Sequence, residues 1–302
     1  MFEFSIVLLE EHSSSAKKIY RDIKDSISVF GGVVTSFLEE GKIHIVVGCE
    51  DIEKPRISFF ICDAIAEVIT THFKKQFIDS RLHLPIHNKL NLDALKKALV
   101  AFDRETDRYI VSHNLKLNKS IYIESFYEFK LQKLRLKWNE LIKLANENAG
   151  YLLCNDTFID LLKFLIDNIE ISSNIINVIK EEQRFKICDE NFNEIEVEER
   201  KECEDNEAFL ITSLINLSPK RIFVYCDLDE NSSALTLISQ VFQDRVSILP
   251  KCSLWLKNLW VCIKNAYSFL FSHFFTNNCL KYVKVVPIVI NKRLYNYLNN
   301  TA

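Results

Sequence analysis

Residues 224–232 (VYCDLDENS) place two carboxylates, Asp227 and Asp229, at the end of an apolar strand. Paired carboxylates at a strand end are the residue types that metal-assisted phosphoryl transfer would use. The surroundings weigh against it. Residues 228–302 are all that follow Asp227, and those from 251 onward contain no carboxylate to complete the metal site. The segment fails equally as a calcium loop, because Ser232 stands where the loop needs glycine and Ile238 where it needs a bidentate glutamate. His83 and His87 have the four-residue spacing that puts two ligands on one helical face, but Pro85 lies between them and opposes a helix there. Nine cysteines are scattered without a two-residue pair, and no nucleophile elbow, Walker or dinucleotide fingerprint is present. The expectation is a solvated turn at Asp227 and Asp229, loop imidazoles and buried thiols, with no assembled catalytic site, metal or cofactor.

Two features fit binding better than catalysis. Lys130, Lys133 and Lys137 border the apolar stripe of a central helix, where they could form an edge for an acidic partner or simply cover the rim of the core with their stems. Residues 255–275 carry Lys257, Lys264, Ser268 and Ser272 on one helical face and a broad aromatic surface on the other, including Trp255, Trp260 and Phe271. Three readings fit that tail: a helix lying on a membrane surface, a segment that completes the fold or pairs with another subunit, and an out-of-frame product of an AT-rich gene.

The elements that must position these groups follow from composition and periodicity. With 302 residues, 48% hydrophobic and 26% charged, the chain is expected to fold and to be soluble. Five glycines and five prolines are too few for a fibrous protein or a glycine-rich phosphate loop. The formal net charge of -3 is uneven. Residues 251–302 hold Lys251, Lys257, Lys264, Lys281, Lys284, Lys292 and Arg293 and no acid, so they carry +7 and leave -10 on residues 1–250. An acidic body makes general nucleic-acid binding an unfavoured reading. An odd cysteine count and an N-terminus without a basic start or cleavage site point to reduced thiols in a cytoplasm. No uncharged apolar run has the length of a bilayer span.

Residues 4–9 read as a strand, and Ser13, Ser14 or Ser15 as the cap of a helix running to about 28 with Ala16, Tyr20, Ile23 and Ile27 inward. Residues 33–38 and 43–47 read as strands around a tight turn at Glu40-Gly41, and a long helix follows from Pro55. Residues 92–102 and 104–115 are expected to be helical. The organising stretch is 120–169. Tyr127, Leu131, Leu134, Trp138, Leu141, Ile142 and Ala145 form one helical stripe, and Phe158, Leu161, Leu162, Leu165 and Ile169 a second, which reads as an antiparallel hairpin closed near Gly150. Beyond it, strands at 175–179, 185–188, 221–226 and 246–249 alternate with helices at 209–218 and 233–242, after an acidic loop at 190–207. The expected fold is α+β: an N-terminal α/β unit (1–104), a central helical region (105–170), a C-terminal small mixed sheet with helices (171–250) and a basic aromatic tail (251–302).

Four colinear blocks resemble the sporulation protein YtxC family: KSIYIESFYEFKLQKLRLKWNELI at 119–142, FIDLLKFLIDN at 158–168, FLITSLINLSPKRIFVY at 209–225 and FQDRVSILPKCSLW at 242–255. The resemblance implies a cytoplasmic protein of endospore-forming bacteria linked to sporulation. It implies no activity and transfers no functional residue. The chain departs from the family at its end, where it has Cys252 in place of a cysteine cluster. Together these features predict a sporulation-associated, non-catalytic protein working through protein contacts. A phosphatase using Asp227 and Asp229 and a peripheral membrane protein held by the tail are the alternatives. The strand after 219 also resembles the opening of haloacid-dehalogenase-type phosphatases, which implies Asp227 as the nucleophile on phosphorus, Asp229 as acid and base, and magnesium between them, but Glu230-Asn231 replace the Gly-Thr of that motif.

Overall fold

The computed structural model describes residues 1–84, 88–147, 155–181, 184–195, 205–227 and 232–251. The chain divides into two compact units, Met1–Ile248 and Leu249–Ala302. Tail residues Trp255, Trp260 and Phe271, as well as His87, Gly150 and Asp229, lie outside the described residues.

The first sheet is built on β1 (Phe2–Leu9), whose even residues Phe4, Ile6 and Leu8 are fully buried, as strand alternation requires. β1 runs antiparallel to β3 (Lys42–Cys49), with Ile6 opposite Ile45 and Phe4 opposite Val47. β2 (Val33–Glu39) pairs antiparallel with β3 through the expected turn, where Glu40 and Gly41 both take positive φ, 48° and 72°. This left-handed pair gives the twist of a two-residue hairpin. The fourth strand comes from the central region. β4 (Ser120–Tyr122) lies parallel to β1, giving the order β2-β3-β1-β4.

Helix α1 (Ser13–Ile27) buries Ala16, Ile19, Ile23 and Ile27. The expected serine cap is corrected: the helix starts at Ser13 behind His12, with no side-chain cap, and Ser15 is buried with its hydroxyl 3.2 Å from His72 Nδ1. Helix α2 (Lys54–Val68) has proline in its first turn and passes through one π-helical turn, Ile69–Phe73, into α3 (Lys74–Asp79). The wider turn shifts the helical phase. The stripe Ile57, Ile61, Ile65 and Val68 is thereby handed on to Phe73, Lys74, Phe77 and Ile78, all buried.

The remaining helices are α4 (Lys89–Ala101), α5 (Arg104–Asn114), α6 (Ile123–Phe129), α7 (Gln132–Glu147) and α8 (Asn155–Asp167). The continuous stripe expected from Tyr127 to Ala145 is split at Lys130 and Leu131, so α6 can stay beside β1 while α7 continues along α3. The two helices of the central pair bury their stripes on different neighbours. α7 packs against α3 and α6, and α8 against α4 and α10 (Ser233–Phe242). Sequence periodicity identifies a face that must be covered but not what covers it.

The second sheet contains β5 (Ser173–Glu181), β6 (Arg184–Cys188), β7 (Pro219–Cys226) and β8 (Val246–Pro250), in the order β6-β5-β7-β8. β5 is antiparallel to β6 and parallel to β7. Helix α9 (Asn206–Leu217) ends at Ser218, which is left-handed at φ 35°, and contacts α4, α10 and β6. Buried side chains from Phe2 to Phe242 form one continuous core, to which all three sequence regions before residue 250 contribute.

Candidate functional site

The cluster of ionisable groups inside the first unit starts with a lysine on an apolar stripe. Lys74 lies three and four residues from Phe77 and Ile78, so helix α3 carries it inward, and it is 1% exposed. A buried ammonium must be paired and hydrogen-bonded to persist. Lys74 Nζ donates to Asp107 Oδ2 at 2.8 Å and to the Phe102 carbonyl at 2.7 Å. Phe102 follows the last residue of α4, so the ammonium satisfies a carbonyl at a helix C-terminus, where positive charge is favoured. Asp103 follows in the left-handed conformation, φ 52°, and turns the chain into α5.

Asp107 is fully buried and accepts from three donors. Lys74 and the Trp138 indole N–H, at 2.8 Å, share Oδ2, and Lys137 Nζ donates to Oδ1 at 2.7 Å. Lys137 also donates to Asp103 Oδ2. A second layer lies alongside: Arg108 donates to Asp63 and, at 2.7 Å, to Glu67, while Arg104 pairs with Glu67. Four carboxylates, from Asp63, Glu67, Asp103 and Asp107, thus face four cations, from Lys74, Arg104, Arg108 and Lys137. They tie together α2, α3, α5 and α7.

Burial pushes the Lys74 amine below its ordinary value, against the opposing pull of Asp107. Burial acts the same way on Lys137, but hydrogen bonds to Asp103 and Asp107 outweigh it and hold that amine above its ordinary value. Burial would raise Asp103, yet hydrogen bonds from Lys137 and Thr106 hold it low. A carboxylate with three donors is a poor general base, and an amine at 1% exposure has no path to a substrate. The geometry therefore suits rigid positioning of helices. The outer side of the cluster, Asp103, Arg104 and Thr106, opens on a groove of about 640 Å³ whose other wall includes Asp167, Asn168 and Ser172.

The sequence-selected residues fall in separate places. Lys130 and Lys133 are exposed at the junction of α6 and α7, whereas the Lys137 ammonium is committed to the internal cluster. The three lysines therefore do not share one open edge. Asp227 is exposed just beyond β7, and His83 lies in a loop where its backbone N–H donates to Asn146 Oδ1. Cys49, Cys188 and Cys226 are buried, and burial pushes the Cys49 and Cys188 thiols up. Among the described residues, no group of three or more His, Cys, Asp or Glu is arranged to hold a metal. No helix among them is long and apolar enough to cross a membrane.

No signal within a single segment marks Lys74, Asp107 and Trp138 as a functional group. The available signal was a charge at core spacing: Lys74 before Phe77 and Ile78, and Asp107 four residues before the buried Val111.

Two mixed sheets, a helical layer between their sequence regions and an internal ion cluster define an α+β protein with a polar centre in its core. The chain belongs to the YtxC-like family, whose model matches residues 75–247. That span contains Asp103, Arg104, Asp107, Arg108, Lys137 and Trp138, and begins one residue after Lys74. No curated protein and no solved structure matches the chain.

Proposed function

We propose that this protein is a cytoplasmic, sporulation-associated protein that works through contacts with protein partners rather than by catalysis. The link to sporulation rests on the family. The observation that carries the non-catalytic reading is the saturation of Asp107 by Lys74, Lys137 and Trp138, which suits an internal brace. Lys130 and Lys133 remain exposed and available to an acidic partner. The test is capture of the tagged full chain from sporulating cells, with partners identified by mass spectrometry. Reproducible protein partners that are weakened by Lys130→Glu and Lys133→Glu are expected. Turnover of a substrate by the purified protein alone would overturn the proposal.

A second reading is favoured by the position of Asp227, exposed at the carboxyl end of β7 where it runs parallel to β5. With Asp229 it would make a metal-dependent phosphatase. Magnesium-dependent phosphate release that disappears in Asp227→Asn is its signature. Absence of release across a broad substrate panel, or release unchanged by the substitution, removes it.

A further inference from the structure

We infer that β2 is a self-pairing edge through which two copies of this chain join their N-terminal sheets. β2 occupies the outer position of the first sheet, and every residue of it except Val34 is exposed. Val33 is 68%, Phe37 46% and Leu38 57% exposed. No described residue pairs with its outer edge. Edge strands that face only solvent are ordinarily protected by lysine, proline or a bulge. Here residues 33–38 (VVTSFL) contain no charge and no proline, and the strand pairs with β3 residue for residue, without a bulge.

The sequence of the edge is complementary to itself. In an antiparallel two-fold pair centred on Ser36, Val34 faces Leu38, Thr35 faces Phe37, and Val33 faces Glu39 of the other copy. At the steps beside the axis apolar and β-branched residues meet, which favours pairing, and no like charges are directly opposed. One step further out, Glu40 of each copy reaches Gly32 of the other. Phe37 is already held by stacking on His44, ring centres 5.1 Å apart, which limits the conformational freedom lost on association. The result is an isologous contact and a continuous eight-stranded sheet across the two-fold. This contact is independent of the partner proposed above.

Ser36 sits on the axis and therefore faces itself, which gives a test specific to this geometry. The full chain is expected to sediment as a concentration-dependent dimer. Ser36→Lys and Ser36→Glu each place like charges opposite one another and should weaken dimerisation by roughly tenfold or more, with unchanged circular dichroism. An equimolar mixture of the two variants should recover the dimer. A monomeric parent chain overturns the inference, as does a Ser36→Lys variant that dimerises with parental affinity or a mixture that stays monomeric. Should the variants misfold, hydrogen exchange on the parent chain decides. Amides of residues 33–39 should slow as protein concentration rises, and concentration-independent exchange there overturns the pairing.

Discussion

Asp107→Asn is the most informative single change to this molecule. It keeps the volume of the side chain and removes the charge that Lys74 and Lys137 both use. Lys74 is 1% exposed and, among the described residues, its other acceptor is the Phe102 carbonyl, so its ammonium is left largely uncompensated in the core. The asparagine amide also presents N–H donors where the carboxylate had accepted from Lys137 or from Trp138. Breaking a buried pair in this way costs about 3–5 kcal/mol. For a unit of this size that corresponds to a melting temperature lower by about 6–20 °C. Urea unfolding followed by far-UV circular dichroism measures the change directly. A double-mutant cycle with Lys74→Met sharpens it: the double variant should be more stable than the sum of the two single losses, because removing both partners leaves no orphan charge. A loss within about 0.5 kcal/mol for Asp107→Asn, or additive losses in the cycle, would refute the claim that this cluster braces the helices.

Other consequences follow from the same geometry. Trp138→Phe keeps the aromatic packing on Phe77 but removes the N–H donated to Asp107, and should cost about 1.5–3 kcal/mol in urea unfolding. Asp103 and Glu207 both sit below their ordinary values of 3.8 and 4.5. For Glu207, burial would raise the carboxyl, but the hydroxyls of Ser232 and Ser233 hold it low. A depressed carboxylate stabilises the fold fully above its unfolded value, and that stability is lost as pH falls through the folded value. The urea midpoint should therefore drop below about pH 4.5, with a shallower drop in Asp103→Asn. Lys137 has the opposite sign. Its contribution holds below its ordinary value of 10.5 and is lost at higher pH, so alkaline titration of Lys137→Met should lack that limb. Gly41→Val forces a β-branched residue to φ 72° and should cost about 1–2 kcal/mol, read as a lower melting temperature.

Most element positions were legible because their signals are local. The β1 alternation, the Glu40-Gly41 turn, Pro55 at the start of α2 and the 233–242 helix each depend on residues within a turn or two of one another. Where the reading missed, a longer-range influence decided. The three serines that open α1 have the composition of a cap, yet Ser15 is drawn inward to His72, 57 residues away. The stripe from Tyr127 to Ala145 looked continuous, yet it divides because α6 and α7 have different elements to cover.

The candidate site shows the same division most clearly. The sequence alone determined that this is an α+β chain, which faces of its helices are apolar, and that its acidic body precedes a basic aromatic tail. It also held Lys74, Asp107 and Trp138 at core spacing. Only the tertiary structure decided that these three meet, that Lys137 points to the cluster rather than to a partner, and that 120–122 completes a sheet begun at residue 2. The physical reason is that hydrophobic periodicity is a property of one helix or strand. The pairing of Lys74 with Asp107 joins side chains 33 residues apart, and it depends on how two separately formed helices pack.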